Sequence, residues 1–409
     1  MKKRNKSIIG IRFTFTSEAK GFKNSIPQVN RVFSNAPGRN DKMYLKVNED
    51  NKKLVEEFGA SRITELRNLP DFYTFTNGLI YSHRDFDTFM GRLHKGVASA
   101  IVSGLNPSAT LHLGHVPLFE TNLFFQQKYG IEVFIPLSDD ESYVARKIET
   151  QAEGFKNSIR LARSLLAFGF DLSKTHFIID QVYTQIYNLA IKLSRGVNIS
   201  EIKAVYGYSA EQNVGLHFYP AVQASHIALP QTLGIPNVLV PIGPDEDAHL
   251  RVARDIASKF GFNKAAALHM LYLPGLDGDI KMSKSKGNAV FLLDSEREIK
   301  KEIMSAFSGG KVSAEEHRRL GGDPSVDIPY LYLRYLFLKP KEAEEIAEKY
   351  RRGEILSGEM KQMLFEKAVD RTRKFQEHYN KITIEDVMKT ILTNKEEDLR
   401  KMVEDSGVF

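Results

Sequence analysis

From residue 98 onward the chain alternates short apolar runs with helical patterns, and this alternation restricts it to few folds. Apolar runs at residues 98–104, 132–137, 175–179, 237–241 and 267–273 read as strands. Helical patterns fill residues 113–129, 149–169, 181–193, 214–228 and 246–260 between them. A parallel strand pair needs a crossover long enough to hold a helix, so the alternation predicts parallel pairing. The expected class is α/β: a Rossmann-type doubly wound parallel sheet over residues 97–300. Beyond residue 295 strand signals stop. Helical patterns at 299–307, 330–338, 341–352, 357–379 and 384–392 predict an all-helical C-terminal domain over 301–409.

Ahead of the sheet, residues 43–96 read as an appended segment, a helix followed by a hairpin. Its hairpin signal is Asn77-Gly78 between Phe72-Tyr73-Thr74-Phe75 and Leu79-Ile80-Tyr81. Residues 1–42 carry ten Lys and Arg against Glu18 and Asp41, a local +8 within a net charge of +6, so the rest of the chain sums to −2. Lacking periodicity, this basic leader is expected to be disordered, with Met43 the candidate start; a mitochondrial presequence is the other reading. Global charge therefore says nothing about RNA, and any RNA surface must be a local patch. No run approaches the roughly 18 apolar residues of a membrane helix, so no membrane partner is expected. With no cysteine, disulfides, thiolate nucleophiles and Cys-ligated zinc are excluded. That fits a cytoplasmic protein.

Two short motifs carry the chemistry. Val102-Ser103-Gly104 ends a strand, and the turn through Ser108 delivers a helix start at His112-Leu113-Gly114-His115. Free N–H groups there attract phosphate. His112 and His115 share one face, where their ring N–H groups can meet an α-phosphate, and Gly114 lets an adenine pack on bare backbone. Far downstream, Lys281-Met282-Ser283-Lys284-Ser285 lies in a glycine-bracketed loop. Lys281 and Lys284 can follow the β- and γ-phosphates as negative charge grows on departing pyrophosphate. A helix start with incidental histidines and a solvated basic turn are the bland readings. Together the motifs instead describe a site that moves the nucleotide rather than the terminal phosphate.

Other candidates sit at strand ends, where open α/β sheets bind ligands. Ser138-Asp139-Asp140-Glu141 also fits a capping box. Gly243-Pro244-Asp245-Glu246-Asp247-Ala248-His249 lacks zinc-site spacing and reads as a ribose or amine reader, so no metal held by the chain itself is expected. Gln223 and His226 lie three apart on an apolar helix, as substrate readers or as a satisfied buried pair.

On these residues the chain, from about residue 79 to 392, resembles class I tryptophanyl-tRNA synthetases of the archaeal/eukaryotic type. Further matches are His83-Arg84-Asp85-Phe86, Phe170-Asp171, Arg254-Asp255, Ala306-Phe307-Ser308-Gly309-Gly310 and Glu316-His317-Arg318. The resemblance implies a helical anticodon-binding domain, a homodimer, ATP with Mg²⁺ bridging its phosphates, and L-tryptophan and tRNA(Trp) as substrates. It implies that Glu141 and Gln223 hold the substrate's amino and carboxylate groups and Asp245 the ribose. Ser108, Gly114, Gly243, Met282, Ser283 and Ser285 complete the ATP site. The departures fall where the side chain is read. Val102 and Pro136 stand where relatives carry the tyrosine and glutamine used on the indole N–H, and Glu246 replaces a glutamine. His226 aligns with a substrate-reading aspartate of bacterial relatives and is expected to accept the indole N–H. A tyrosine enzyme and a non-catalytic paralogue binding tRNA are the alternatives; intact His112, His115, Lys281 and Lys284 argue against the latter. Lys367, Arg371 and Lys374 form one helical stripe, read either as a solvated face or as a contact for tRNA phosphates.

Overall fold

The computed structural model describes residues 52–107, 110–279, 282 and 287–408. The leader, Met43, Ser108, Lys281, Ser283, Lys284 and Ser285 lie outside the described residues. Seven strands form one sheet: β1 (Ser61–Arg62), β2 (Ile80–Arg84), β3 (Ser99–Val102), β4 (Glu132–Leu137), β5 (Thr175–Ile179), β6 (Asn237–Ile242) and β7 (Ala266–Met270). Their order is β1-β2-β7-β6-β3-β4-β5. From β7 to β5 every pairing is parallel. The chain runs from β3 outward to β4 and β5, then returns to lay β6 and β7 on the other side. This reversal opens a crevice at the C-terminal ends of β3 and β6, where ligands of such sheets bind.

Alternating side chains of the strands enter two separate cores, as a sheet covered on both faces requires. Ile101, Val133 and Ile135 pack with Phe119, Phe125 and Leu165, residues of the helices Val116–Tyr129 and Gln151–Leu166. Ala100, Val102 and Phe134 face the other way, toward Ile186, Leu229 and Leu250. The doubly wound class read from the sequence is the one observed.

The hairpin expected at Asn77-Gly78 does not form. Tyr73–Thr76 is a single helical turn closed by Asn77 at φ −88°, and Gly78 alone takes positive φ, 77°. The favoured hairpin turn needs positive φ at both positions. Packing overrides the strand propensity of the aromatic run: the Phe75 ring lies 5.8 Å from Phe86 and 6.4 Å from Phe125. Leu79-Ile80-Tyr81 does lead into a strand, but β2 pairs antiparallel with β7 and extends the main sheet.

No strand follows β7 among the described residues. Helices Glu296–Ser305, Ala314–Leu320, Ile328–Tyr332, Pro340–Arg351, Ser357–Tyr379, Ile384–Thr390 and Glu396–Ser406 complete the chain. Tyr332, Leu364 and Ala368 are buried in the same cluster as the Ile101 face of the sheet. Leu392 N–H donates to Phe177 O at 2.9 Å, docking the C-terminal segment on β5.

Candidate active site

Backbone pairing carries the chain past β3 into the crevice: Ser103 N–H donates to Phe134 O and Leu105 N–H to Pro136 O, each at 3.0 Å. His112 then caps a 3₁₀ turn, Leu113–His115, that continues into the helix Val116–Tyr129. The turn is locked by its own histidines. His112 Nδ1 accepts the Gly114 N–H at 3.1 Å and His115 Nδ1 accepts the His112 N–H at 3.2 Å. In a 3₁₀ turn side chains at i and i+3 eclipse, which places the two rings 3.9 Å apart. Because both Nδ1 atoms accept, each neutral ring carries its proton on Nε2. Burial lowers the pKa of His112 to about 4, and burial with the His112 ring beside it lowers His115 to about 3. At neutral pH the pair is therefore two uncharged N–H donors, held in place before any phosphate arrives.

The two motifs meet. Leu113 N–H donates to Val290 O and Leu292 N–H to Leu111 O, each at 3.0 Å, so the histidine turn is bonded to the segment leaving the lysine loop. A Cβ on Gly114 would stand 3.0 Å from the Met282 Cε and from the His112 ring, so the close approach needs glycine. The loop is pinned at its base: Leu276 N–H donates to Asn288 O, and Asn288 Nδ2 to Asp277 Oδ1, both at 2.8 Å.

On the amino-acid side the capping box read at Ser138-Asp139-Asp140-Glu141 is absent. Ser138 makes no cap bond to the helix Asp139–Val144; its Oγ accepts from the Tyr219 hydroxyl at 2.9 Å. Glu141 is thereby left to face the crevice. Asn106 Nδ2 donates to its Oε2 and Lys147 Nζ to its Oε1, the latter at 2.8 Å. Gln223 lies on the helix Val214–Thr232, its Oε1 2.5 Å from His249 Nδ1. Burial lowers His249 to about 4, so the ring is neutral and Nδ1–H donates. The Gln223 amide N–H groups remain for an acceptor such as a carboxylate. Asp245 and Glu246 stand exposed on the 3₁₀ turn Pro244–Glu246 after β6. At Gly243 a Cβ would collide with the Tyr272 hydroxyl at 2.1 Å.

His226 does not stand alone. Its Nε2 lies 2.8 Å from Asp180 Oδ1, with both residues buried. Asp139, Asp140 and Asp180 bring one carboxylate oxygen each within 4.8 Å of one another. Burial and the neighbouring Asp180 raise Asp140 to about 8, and burial raises Asp139 to about 6. Burial raises Asp180 as well, far above the usual carboxylate range, and its unprotonated Oδ1 accepts from His226 in either protonation state. Burial lowers His226 to about 4, so its ring is neutral, with Nε2 donating and Nδ1 carrying a lone pair. Sequence reasoning missed Asp180; its one local sign is its place directly after an apolar strand. Val102 is 2 % exposed and packs in the apolar core beside Phe134.

A family model described as tRNA synthetases class I (W and Y) matches residues 95–372. The chain belongs to this family. Tryptophan–tRNA ligase 2 of Halobacterium salinarum is 39% identical over 335 residues, 80% of this chain and 85% of that protein. Tryptophan–tRNA ligase of Methanocaldococcus jannaschii is 36% identical over 335 residues, 78% of this chain and 90% of that protein. Tryptophanyl-tRNA synthetase from the hyperthermophilic archaeon Aeropyrum pernix superposes with a TM-score of 0.78 at 28% identity, covering 86% of this chain and 98% of its own.

Within this class I synthetase, the stripe read as a tRNA contact needs correction. Arg371 turns inward: its guanidinium sits 3.2 Å from Glu120 and 4.9 Å from the centre of the Phe337 ring. Tyr73 donates to the same Glu120 at 2.7 Å. Lys374 pairs with Asp370 at 2.8 Å, four residues earlier on its helix. Lys367 is exposed. The spacing was helical, but the middle member of the stripe faces the sheet domain and is consumed in packing.

A second network was only partly visible in His83-Arg84-Asp85. Arg84 grips Asp247 with two bonds, 2.7 and 2.8 Å, and His269 Nε2 reaches the same carboxylate at 3.0 Å. Burial opposes ionisation of Asp247, but His269 and Arg84 outweigh it and hold the carboxyl well below its usual range. This network fixes the start of the helix Asp247–Lys259, directly after Asp245 and Glu246.

Proposed function

We propose that this synthetase activates L-tryptophan with ATP and transfers it to tRNA(Trp). The observation that carries the reading is the interlock of the His112–His115 turn with Met282 and the segment leaving the lysine loop. It encloses a triphosphate from two sides. The names of the relatives, all tryptophan–tRNA ligases, favour tryptophan over tyrosine.

In the first step a carboxylate oxygen of the amino acid attacks the α-phosphorus of ATP, and the bond to pyrophosphate breaks. In the second, a ribose hydroxyl at the tRNA 3′ end attacks the activated carbonyl and AMP leaves. No enzyme nucleophile is needed; the chain positions groups and stabilises charge. His112 and His115 donate from Nε2 to the α-phosphate, and Lys281 and Lys284, with Ser283 and Ser285, take the leaving pyrophosphate. Gly114, Met282 and Ser108 bound the adenosine; Asp245 and Gly243 hold its ribose. Glu141 pairs with the substrate ammonium, Gln223 donates to its carboxylate, and Glu246 lies at the edge of the same pocket. His226 Nδ1 accepts the indole N–H, beyond Val102, while Asp180 fixes the tautomer from Nε2. The Nε2–H groups of His112 and His115 suit phosphate oxygens and not a hard cation, so these residues would leave Mg²⁺ to the nucleotide, where it would neutralise phosphate charge. The protein is proposed to act in the cytoplasm as a homodimer, in line with the family resemblance. Among the described residues no helix is long and apolar enough to cross a membrane.

The test is ATP–pyrophosphate exchange with each of the twenty amino acids, followed by charging of tRNA. Exchange with tryptophan is the expected result. Exchange with tyrosine alone, or with none, overturns the reading.

A further inference from the structure

A cleft of roughly 420 Å³ opens beside the entry to the histidine turn. Pro107 and Thr110, which lead into His112, form one wall; Arg160 and Arg163 of the helix Gln151–Leu166 form another, and Phe375 and Tyr379 a third. Among the described residues its charged lining consists of the two arginines. Arg163 lies over the Tyr379 ring at 4.4 Å. Arg160 is exposed and has no carboxylate partner among the described residues, and neither has Lys156, one turn earlier on the helix. The neighbouring cleft on the helix Ser357–Tyr379 differs: its Arg371 and Lys374 are answered by Glu120 and Asp370. The positive charge of Arg160, unanswered by any carboxylate among the described residues, therefore lies where the catalytic turn begins, and not along the C-terminal stripe.

We propose that this cleft receives the single-stranded 3′ end of tRNA. The proposal rests on the tRNA-charging reading and adds where the RNA lies. Three observations converge. Arg160, with no carboxylate in the lining to answer it, suits a phosphodiester backbone. Arginine and tyrosine side by side suit unstacked bases, which proteins hold on aromatic rings and guanidinium planes. The position suits the second chemical step, which must bring a 3′ ribose hydroxyl to an adenylate held by His112 and His115. Pro107 and Thr110 put the cleft within a few residues of that turn.

The experiment compares the full chain with Arg160→Glu and with Lys156→Glu/Arg160→Glu. Two readouts are taken: tryptophan-dependent ATP–pyrophosphate exchange without RNA, and charging as a function of tRNA and salt concentration. Exchange should stay within about twofold of the parent, while the KM for tRNA rises about tenfold or more. The slope of log KM against log salt should fall by about 0.7 for each single-strand phosphate that the variant no longer neutralises. An unchanged tRNA KM with an unchanged slope overturns the proposal. Failure of the charging reading shows separately, as a parent that neither exchanges nor charges. If Arg160→Glu loses exchange as well, the surface has been damaged, and Arg160→Gln is judged by the same criteria. Tyr379→Leu tests the stacking arm: a raised tRNA KM with the parent's salt slope supports it, and an unchanged KM removes the aromatic half of the proposal.

Discussion

On the ATP side of this synthetase the polar atoms proposed to meet phosphate belong to one turn, His112 to His115, and to the lysine loop, whose Met282 and exit segment pack on that turn. On the amino-acid side they come from four places: Asp180 after β5, Asp140 and Glu141 after β4, Gln223 and His226 on the helix Val214–Thr232, and His249 on the next helix. The first half comes from two short motifs, each contiguous in sequence, and its histidine turn is self-locking, each Nδ1 satisfied by that turn. The second depends on tertiary pairings such as His226–Asp180 and His249–Gln223. Keeping a phosphate clamp takes two short motifs, whereas a side-chain pocket assembled from separate segments can change its readers one at a time.

The largest effect should fall on the contiguous half. Lys281→Ala or Lys284→Ala is expected to lower the activation rate about 100- to 1000-fold, the cost typical of removing one preorganised charge-stabilising donor. The KM for tryptophan should move little, because the interaction strengthens only as pyrophosphate departs. Steady-state exchange kinetics check this, and a change confined to the amino-acid KM would refute the role.

The assembled half should respond in the opposite pattern. His226→Ala removes the proposed acceptor of the indole N–H; an unpaired buried donor corresponds to a rise in tryptophan KM of about 10- to 100-fold. The ATP KM should hold. Assays with tyrosine belong beside it, since a phenol would use the same ring differently. Unchanged charging of tryptophan by His226→Ala would remove His226 as a reader and collapse the contrast between the two halves.

Legibility in the sequence followed the same division. The five parallel strands could be read because each is a local apolar run, and the clamp because the residues of each of its two motifs are adjacent. The pairing of β2 could not, since its partner β7 lies in a distant segment and its one local cue, Asn77-Gly78, fits a helix end as well as a hairpin. The Ser138–Glu141 capping box was the right spacing for a bond that Tyr219 takes instead. Arg371 was on the right helix but faced Glu120, and facing is decided by what packs against the helix. Asp180 carries no motif.

Arg371 gives a smaller and sharper test of how packing sets facing. Its side chain is 23% exposed and paired with Glu120, so Arg371→Met should cost about 1–3 kcal/mol, as an unsatisfied buried charged group does. Thermal unfolding should register a Tm lower by a few degrees, about 2–4 °C per kcal/mol for a chain of this size or somewhat smaller. The tRNA KM should not change. A raised tRNA KM at an unchanged Tm would return Arg371 to the RNA surface.

The smallest expected effect probes the carboxylates behind His226. Asp140 is raised to about 8 by burial and by Asp180, from an ordinary value of 3.8. A raised carboxyl binds its proton more tightly in the folded chain than in the unfolded one. The unfolded chain releases that proton near its ordinary value, and the folded chain only as pH passes about 8. Asp140 therefore lowers stability progressively as pH climbs through that window, and adds no further change above it. Asp140→Asn keeps a donor for Asp180 but cannot ionise, so its Tm should fall less than the parent's between pH 5 and pH 9. The gap between the two Tm curves should open toward high pH and level off there. Asp139 and Asp180, also raised by burial, remain in both proteins; without the Asp140 charge Asp139 is raised less, which widens the gap in the same direction. Parallel curves across the range would mean that Asp140 is already ionised in the folded protein. The raised carboxyl assigned to Asp140 behind His226 would then be wrong, while the ATP side would stand untouched.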